Sequence, residues 1–188
     1  MGASPPIPDA EAERVLRFWF DEVPAELRFA RDAGLDARIA REFGALHALL
    51  AQGVPPGWQD HPRRLLAAVI VLDQFSRNLY RDDGRAFAQD EAALALTRRA
   101  LASGFDEDMT SVEQQFLYMP FMHSERLPEV ERSIALMEQS GNADAAAFAR
   151  RHAEAIARFG RYPARNEALG RASTAEEVAY LAEHPQGF

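Results

Sequence analysis

The chain has 188 residues, 47% of them hydrophobic, and acids outnumber bases 29 to 21 for a net charge of −8. That length and apolar share suffice for one compact core, and the acidic balance argues against bulk electrostatic binding to nucleic acid or an anionic membrane. The absence of Cys excludes disulfides and thiolate metal sites and fits a reducing, cytoplasmic setting.

Taken in chain order, the pattern predicts helices throughout. The Pro-rich residues 1–8 read as a disordered lead-in without the basic and apolar regions of a signal peptide. Residues 9–188 read as a single all-α domain. Asp9 is placed to cap a helix reaching Phe20. Apolar positions at Leu35, Ile39, Phe43, Leu46, Leu49 and Leu50 keep a helical period. Gly53 ends that helix, and the VPPGWQD stretch reads as a loop. Asp60 and Pro62 then start a helix running to about Tyr80. Asp82, Asp83 and Gly84 form a turn, and the next helix spans Arg85 to Ser103, stopped by Gly104. Thr110 and Glu113 make a capping box for a Phe- and Met-rich helix that Pro120 is expected to kink or end. Two helices, Leu127 to Gln139 and Asn142 to Phe159, form a hairpin about Ser140 and Gly141. A connector follows Gly160, and a second capping box, Thr174 with Glu177, opens a last short helix. No strand pattern survives, and no apolar run reaches the roughly 18 residues of a membrane span. About eight helices on short loops imply antiparallel neighbours, although no clean 34-residue repeat is visible.

Three stretches carry polar groups that such a core must satisfy. The central helix places Asp73 and Arg77 four residues apart on an otherwise apolar stripe, with Gln74 and Asn78 one position round. Buried charges require partners. The second stretch is the kink-prone end at His123, Ser124 and Glu125, where a His beside a carboxylate suits a general base and its orienter and equally a helix-terminal cap. His152, on the stripe Phe148, His152, Ile156, Phe159, is the third candidate, as a hydrogen-bonded core residue or a site residue. Between residues 150 and 171, six Arg stand against Glu154 and Glu167. Arg158, Arg161, Arg165 and Arg171 crowd this Gly- and Pro-bearing path, where guanidinium groups suit two-pronged contacts with carboxylate or phosphate. Internal pairing with Asp73, Glu113 or Glu125 is the alternative. There is no HExxH, Walker loop, dinucleotide fingerprint or GxSxG, so neither a metal nor a cofactor is expected.

The segments LRFWF at 16–20, LDQFSRNLYR at 72–81, AFAQDEAALAL at 86–96, FLYMPFMHSE at 116–125 and RHAEAIARFGRYPARNEALGR at 151–171, in this order, resemble the bacterial domain-of-unknown-function family 924. The resemblance implies an all-α, right-handed, tetratricopeptide-repeat-like superhelix of antiparallel helix pairs, and it brings no activity. It directs attention to Asp73, Gln74, Arg77, Asn78, His123, Glu125, His152, Arg161, Arg165 and Asn166 as a candidate binding set. Two positions depart from the family pattern. Ala164 stands where a His is usual, and Arg28-Phe29 stands where a Trp-Phe pair is usual. The leading expectation is a binding module whose Arg-rich pocket takes an anionic small molecule or a peptide or protein carboxylate. A hydrolase or lyase using a His-carboxylate pair, and a scaffold with a purely structural polar network, are the alternatives.

Overall fold

The run from Leu65 to Phe75 is apolar on every side apart from Asp73 and Gln74, and a helix of that kind belongs at the centre of a helical protein. The structure, a computed structural model, describes residues 7–184, so the lead-in expected to be disordered lies outside the described residues through residue 6. Among the described residues there are helices and no strands.

Helix α1 (Asp9–Arg17) widens into a π-helical turn, Phe18–Glu22, two residues beyond the expected end. Asp9 is its first residue and not its cap; Pro8 holds the cap position, and the Asp9 carboxylate pairs with Arg64. The free carbonyls at the end of the turn are collected by Arg28, which donates to Trp19 O at 2.9 Å, Phe20 O at 2.7 Å and Val23 O at 3.1 Å. A guanidinium fork thus caps a helix C-terminus.

A 3-10 turn, Ala25–Phe29, leads to α2 (Ala33–Leu50), capped by Asp32, whose carboxylate accepts from the Leu35 amide. The expected VPPGWQD loop contains one helical segment, α3 (Pro56–Gln59), which buries Trp58. Then comes the central rod: α4 (Pro62–Val69), a π-helical stretch Ile70–Phe75, and α5 (Ser76–Leu79), joined without a break in helical backbone. Every residue from Leu65 to Ser76 is buried. Asp60 does not cap it; His61 holds that position and Asp60 pairs with Arg99.

The helix expected from Arg85 is interrupted. A 3-10 turn, Gly84–Phe87, precedes α6 (Asp90–Ala102). Helix α7 (Ser111–Met122) carries Pro120 inside it and runs two residues past. Helices α8 (Leu127–Gln139) and α9 (Ala143–Phe159) follow, Asn142 capping the second and Gly160 stopping it at φ 69°. A 3-10 turn, Pro163–Arg165, and α10 (Ala175–Glu183) complete the described chain.

Helix α1 lies along α4, α2 along α5, and α8 against both α7 and α9. The main core gathers Phe18, Trp19, Phe43, Phe75 and Phe116. Trp19 meets Phe75 and Phe116 edge-on at 5.5 and 5.6 Å, a geometry that rings favour. A smaller cluster of Val130, Ala155, Ile156, Tyr162 and Tyr180 seats the C-terminal connector.

Both capping boxes form as the spacing predicts. Thr110→Ala removes the side-chain acceptor of the Glu113 amide and is expected to lower stability by about 1 kcal/mol. Urea unfolding reads this directly, and an unchanged midpoint would show that the loop fixes α7 by other means.

Candidate functional site

The π-helical stretch sets the site. Such turns occur mainly as short insertions, frequently where side chains must be re-aimed. Here the turn holds Asp73 and Gln74 inside the core. Asp73 is only 1% exposed. Its Oδ1 accepts from His123 Nδ1 at 2.7 Å and its Oδ2 from Gln74 Nε2 at 2.5 Å. An ionised carboxylate can only accept, so the His123 proton sits on Nδ1 and the lone pair on Nε2. Arg77, one turn on, donates Nη1 to the Asp73 carbonyl at 2.7 Å and lies 3.3 Å from Asp73 Oδ1.

A second carboxylate extends the cluster. Asp90, at the start of α6, sits between Arg77 Nη2 at 3.2 Å and Arg165 Nη1 at 3.1 Å. Arg165 Nη2 also donates to the His123 carbonyl at 2.8 Å, one of the free acceptors at the end of α7. Its guanidinium lies 4.6 Å from the ring centres of both Phe87 and Tyr162, so it is held between two aromatic faces. The connector thus reaches the central rod through one Arg and one shared carboxylate.

These placements decide the protonation states. Burial alone would raise the Asp73 carboxyl, but the Arg77 charge, with hydrogen bonds from His123 and Gln74, holds it well below the usual carboxylate range. Burial lowers His123, the Arg77 charge adds to this, and Asp73 opposes it; the net direction is down. His152 donates Nδ1 to the Phe148 carbonyl at 3.0 Å, and burial pushes its imidazole down to about 3. Both rings are therefore neutral at neutral pH.

The two imidazoles, 6.4 Å apart between ring centres, stand in the wall of an open cavity of about 300 Å³. Its lining includes Arg31, Arg77, Arg81, Arg165, Phe87, Tyr162 and Ala164, with Asp82 the one carboxylate. The carboxylates that balance Arg77, Arg81 and Arg165 are Asp73, Asp36 and Asp90. None of these three carboxylates is among the lining residues, so the lining itself is rich in donors. A smaller neighbouring cleft of about 230 Å³ shares Arg77, Arg81, His123 and His152 and adds Gln74 and Asn78.

The predicted residues therefore divide into three groups. Arg77, His123, His152 and Arg165 line the main cavity, with Asp73 behind His123. Gln74 and Asn78 line the adjoining cleft, where Asn78 also donates to Asp36 at 2.8 Å. Glu125, Arg161 and Asn166 do not reach either. Arg161 forms a two-pronged pair with Glu177 at 2.7 and 2.8 Å, and Asn166 donates to Ser173 at 3.0 Å. Glu125 accepts two hydrogen bonds from Arg171 and one from the Tyr162 amide. These pairs fasten the connector and α10 to the end of α7. Arg31, Arg81, Phe87, Tyr162 and Asp90 were not foreseen. Only Asp90 had a local signal, as an acid opening α6 beside a break in the helical pattern. Among the described residues, no group of three His, Asp or Glu side chains gathers as a metal shell would require.

Comparison with known proteins agrees with the motif reading. Comparison with curated proteins finds no match. A solved structure, of the protein of unknown function ATU0120 from Agrobacterium tumefaciens, is similar, with a TM-score of 0.87 at 32% identity over 93% of this chain and 98% of that one. The model of a family described as bacterial protein of unknown function (DUF924) matches residues 15–185. The chain belongs to that family.

Proposed function

We propose that the protein binds a small anion, carrying a carboxylate or phosphate, in the cavity between the central rod and the Arg-bearing connector. The observation that carries this reading is the asymmetry of the wall. Four Arg side chains line the cavity against one carboxylate, Asp82, which pairs with Arg31, and the acids paired with the other three are not among its lining residues. Guanidinium groups suit such ligands because their planar donors match two oxygens at once. With a net charge of −8, a small ligand fits better than nucleic acid or an anionic membrane. The paired-helix, tetratricopeptide-repeat-like arrangement expected from the resemblance would suit such a role, as concave faces do, and the reading does not depend on it. A cytosolic setting is part of the proposal. Arg31 is the residue to test, since its side chain is largely exposed and its loss leaves the core intact. Calorimetric titration with a panel of carboxylates and phosphates is expected to give binding that weakens about tenfold in Arg31→Ala and is lost in Arg165→Ala, with helicity retained in the first. Absence of binding across the panel would overturn the proposal.

One observation favours an added catalytic step. Asp73 fixes the His123 tautomer so that Nε2 carries the lone pair, and burial keeps the ring neutral. This is the arrangement of a general base with its orienter. The prediction is that His123→Gln abolishes hydrolysis of activated esters or phosphate esters while retaining anion binding. Equal turnover in the variant removes the catalytic reading and leaves the binding one.

A further inference from the structure

The polar cavity does not end at the two imidazoles. The cleft beyond them is shared on one side through Arg77, Arg81, His123 and His152, and on the other through Phe29, Met119 and Phe148. Those last three also line a third, mainly apolar lobe of about 360 Å³, completed by Met122 and Met137. Three openings that share lining residues in sequence lie side by side, from an Arg-rich end to a Met- and Phe-rich end. Alone, the polar cavity is at the small limit of ligand sites, about 300 Å³, whereas a ligand reaching across the adjoining openings would have a space within the usual range. Resting on the binding reading above, we propose that the ligand is an amphipathic small molecule, with a carboxylate or phosphate head among the Arg and an unbranched apolar tail in the Met-lined lobe.

Charge sets the direction. The apolar lobe has a single charged lining residue, Asp144, which repels an anionic head, while the other end presents four Arg. Thioethers set the tail chemistry. Met119, Met122 and Met137 have soft, rotatable side chains that adapt to a flexible chain better than to one rigid shape. Phe29 is 59% exposed and stacks on Phe116 at 5.7 Å between ring centres, which leaves one aromatic face outward where the middle cleft meets the lobe. An aromatic face so placed gives a tail a wall at little cost to the fold.

The test is a chain-length series, acetate, butyrate, hexanoate and octanoate, with octyl phosphate and octanol as head-group controls, titrated calorimetrically into the whole protein. Affinity should rise by about fourfold for each added methylene. Octanoate and octyl phosphate should bind at least tenfold more tightly than octanol, and Arg31→Ala should remove that preference. Phe29→Ala, at an exposed position, should weaken octanoate about tenfold and leave acetate unchanged. Anions binding with no dependence on chain length would overturn the tail and leave the anion reading standing. Octanol binding as well as octanoate, unaffected by Arg31→Ala, would overturn the head-and-tail arrangement and the anion reading together. A concentration-dependent dimer lost in Phe29→Ala, with no chain-length effect, would assign the lobe to a second copy and overturn the proposal.

Discussion

Asp73→Ala is expected to lower the stability of the protein by about 3 kcal/mol. The side chain is 1% exposed and is met by His123, Gln74 and Arg77. Truncation strands the Nδ1–H of His123 and one amide hydrogen of Gln74, and it halves the negative charge beside Arg77. A surface ion pair would cost a fraction of that; the difference is that Asp73 itself is enclosed, and its partners reach the cavity and cleft only on the side away from it. For a domain of this size, the loss corresponds to a fall in melting temperature of about 6–12 °C. The second variant that makes the argument specific is Arg77→Met in the Asp73→Ala background. If the cost is an unpaired buried charge, the double variant recovers part of it, with a coupling of about 1–3 kcal/mol. A single-variant loss under about 1 kcal/mol in urea unfolding, or strict additivity in the double variant, would contradict a buried, coupled cluster.

The same cluster shows what sequence reasoning reaches and where it stops. Asp73 was conspicuous because a charge interrupts a run of aliphatic residues, and a buried charge must have partners. His123 and Arg165 were legible as partners because each follows a local break, Pro120 before one and Gly160 before the other. Asp90 was hidden. An acid in the first turn of a helix is explained by the helix dipole alone, so its bridging of Arg77 and Arg165 leaves no separate trace. Arg161 misled for the converse reason. Its guanidinium has the same chemistry as that of Arg165, and only the capping box at Thr174 placed Glu177 where Arg161 would be used up. Helix existence was readable from apolar period and caps, while helix interiors were not. No local preference marks the π-helical turns at Phe18–Glu22 and Ile70–Phe75, whose rings Trp19 and Phe75 meet edge-on in the core. Pro120 does not end α7 where it stands: two residues from the end of the helix, its missing amide costs one hydrogen bond in a turn that is about to stop. Ala164, where the resemblance leads one to expect a His, falls on the cavity wall, and a methyl there leaves room that an imidazole would occupy. A His there would add a third imidazole to the two already facing the opening.

Acid should unfold the protein in two stages, the first beginning near pH 6.5 and governed by histidine. In the unfolded chain an imidazole takes up its proton near pH 6.5, whereas burial pushes folded His152 down to about 3. Between those values the unfolded state binds a proton that the folded state does not, so stability falls as pH drops below 6.5 and stops falling only near 3. At pH 5 the loss from His152 alone is about 2 kcal/mol, and His123 shifts in the same direction. Asp73 and Glu125 act in a lower window. Their folded carboxyls are depressed, so their contribution is intact above about pH 4 and is lost only as pH falls toward their folded values. Urea midpoints at pH 7.5, 6.5, 5.5 and 5.0 read the first stage, because the carboxylate contribution is still intact throughout that range. His152→Gln keeps a donor for the Phe148 carbonyl but carries no titrating ring, and it should flatten the limb between pH 6.5 and 5. An equally steep limb in the variant would assign the acid sensitivity to other groups. If an anion occupies the cavity, its charge near both rings favours the protonated imidazoles, so saturating ligand should stabilise the protein more at pH 5.5 than at pH 7.5. The titration of two buried rings then reports on whether the space in front of them is filled.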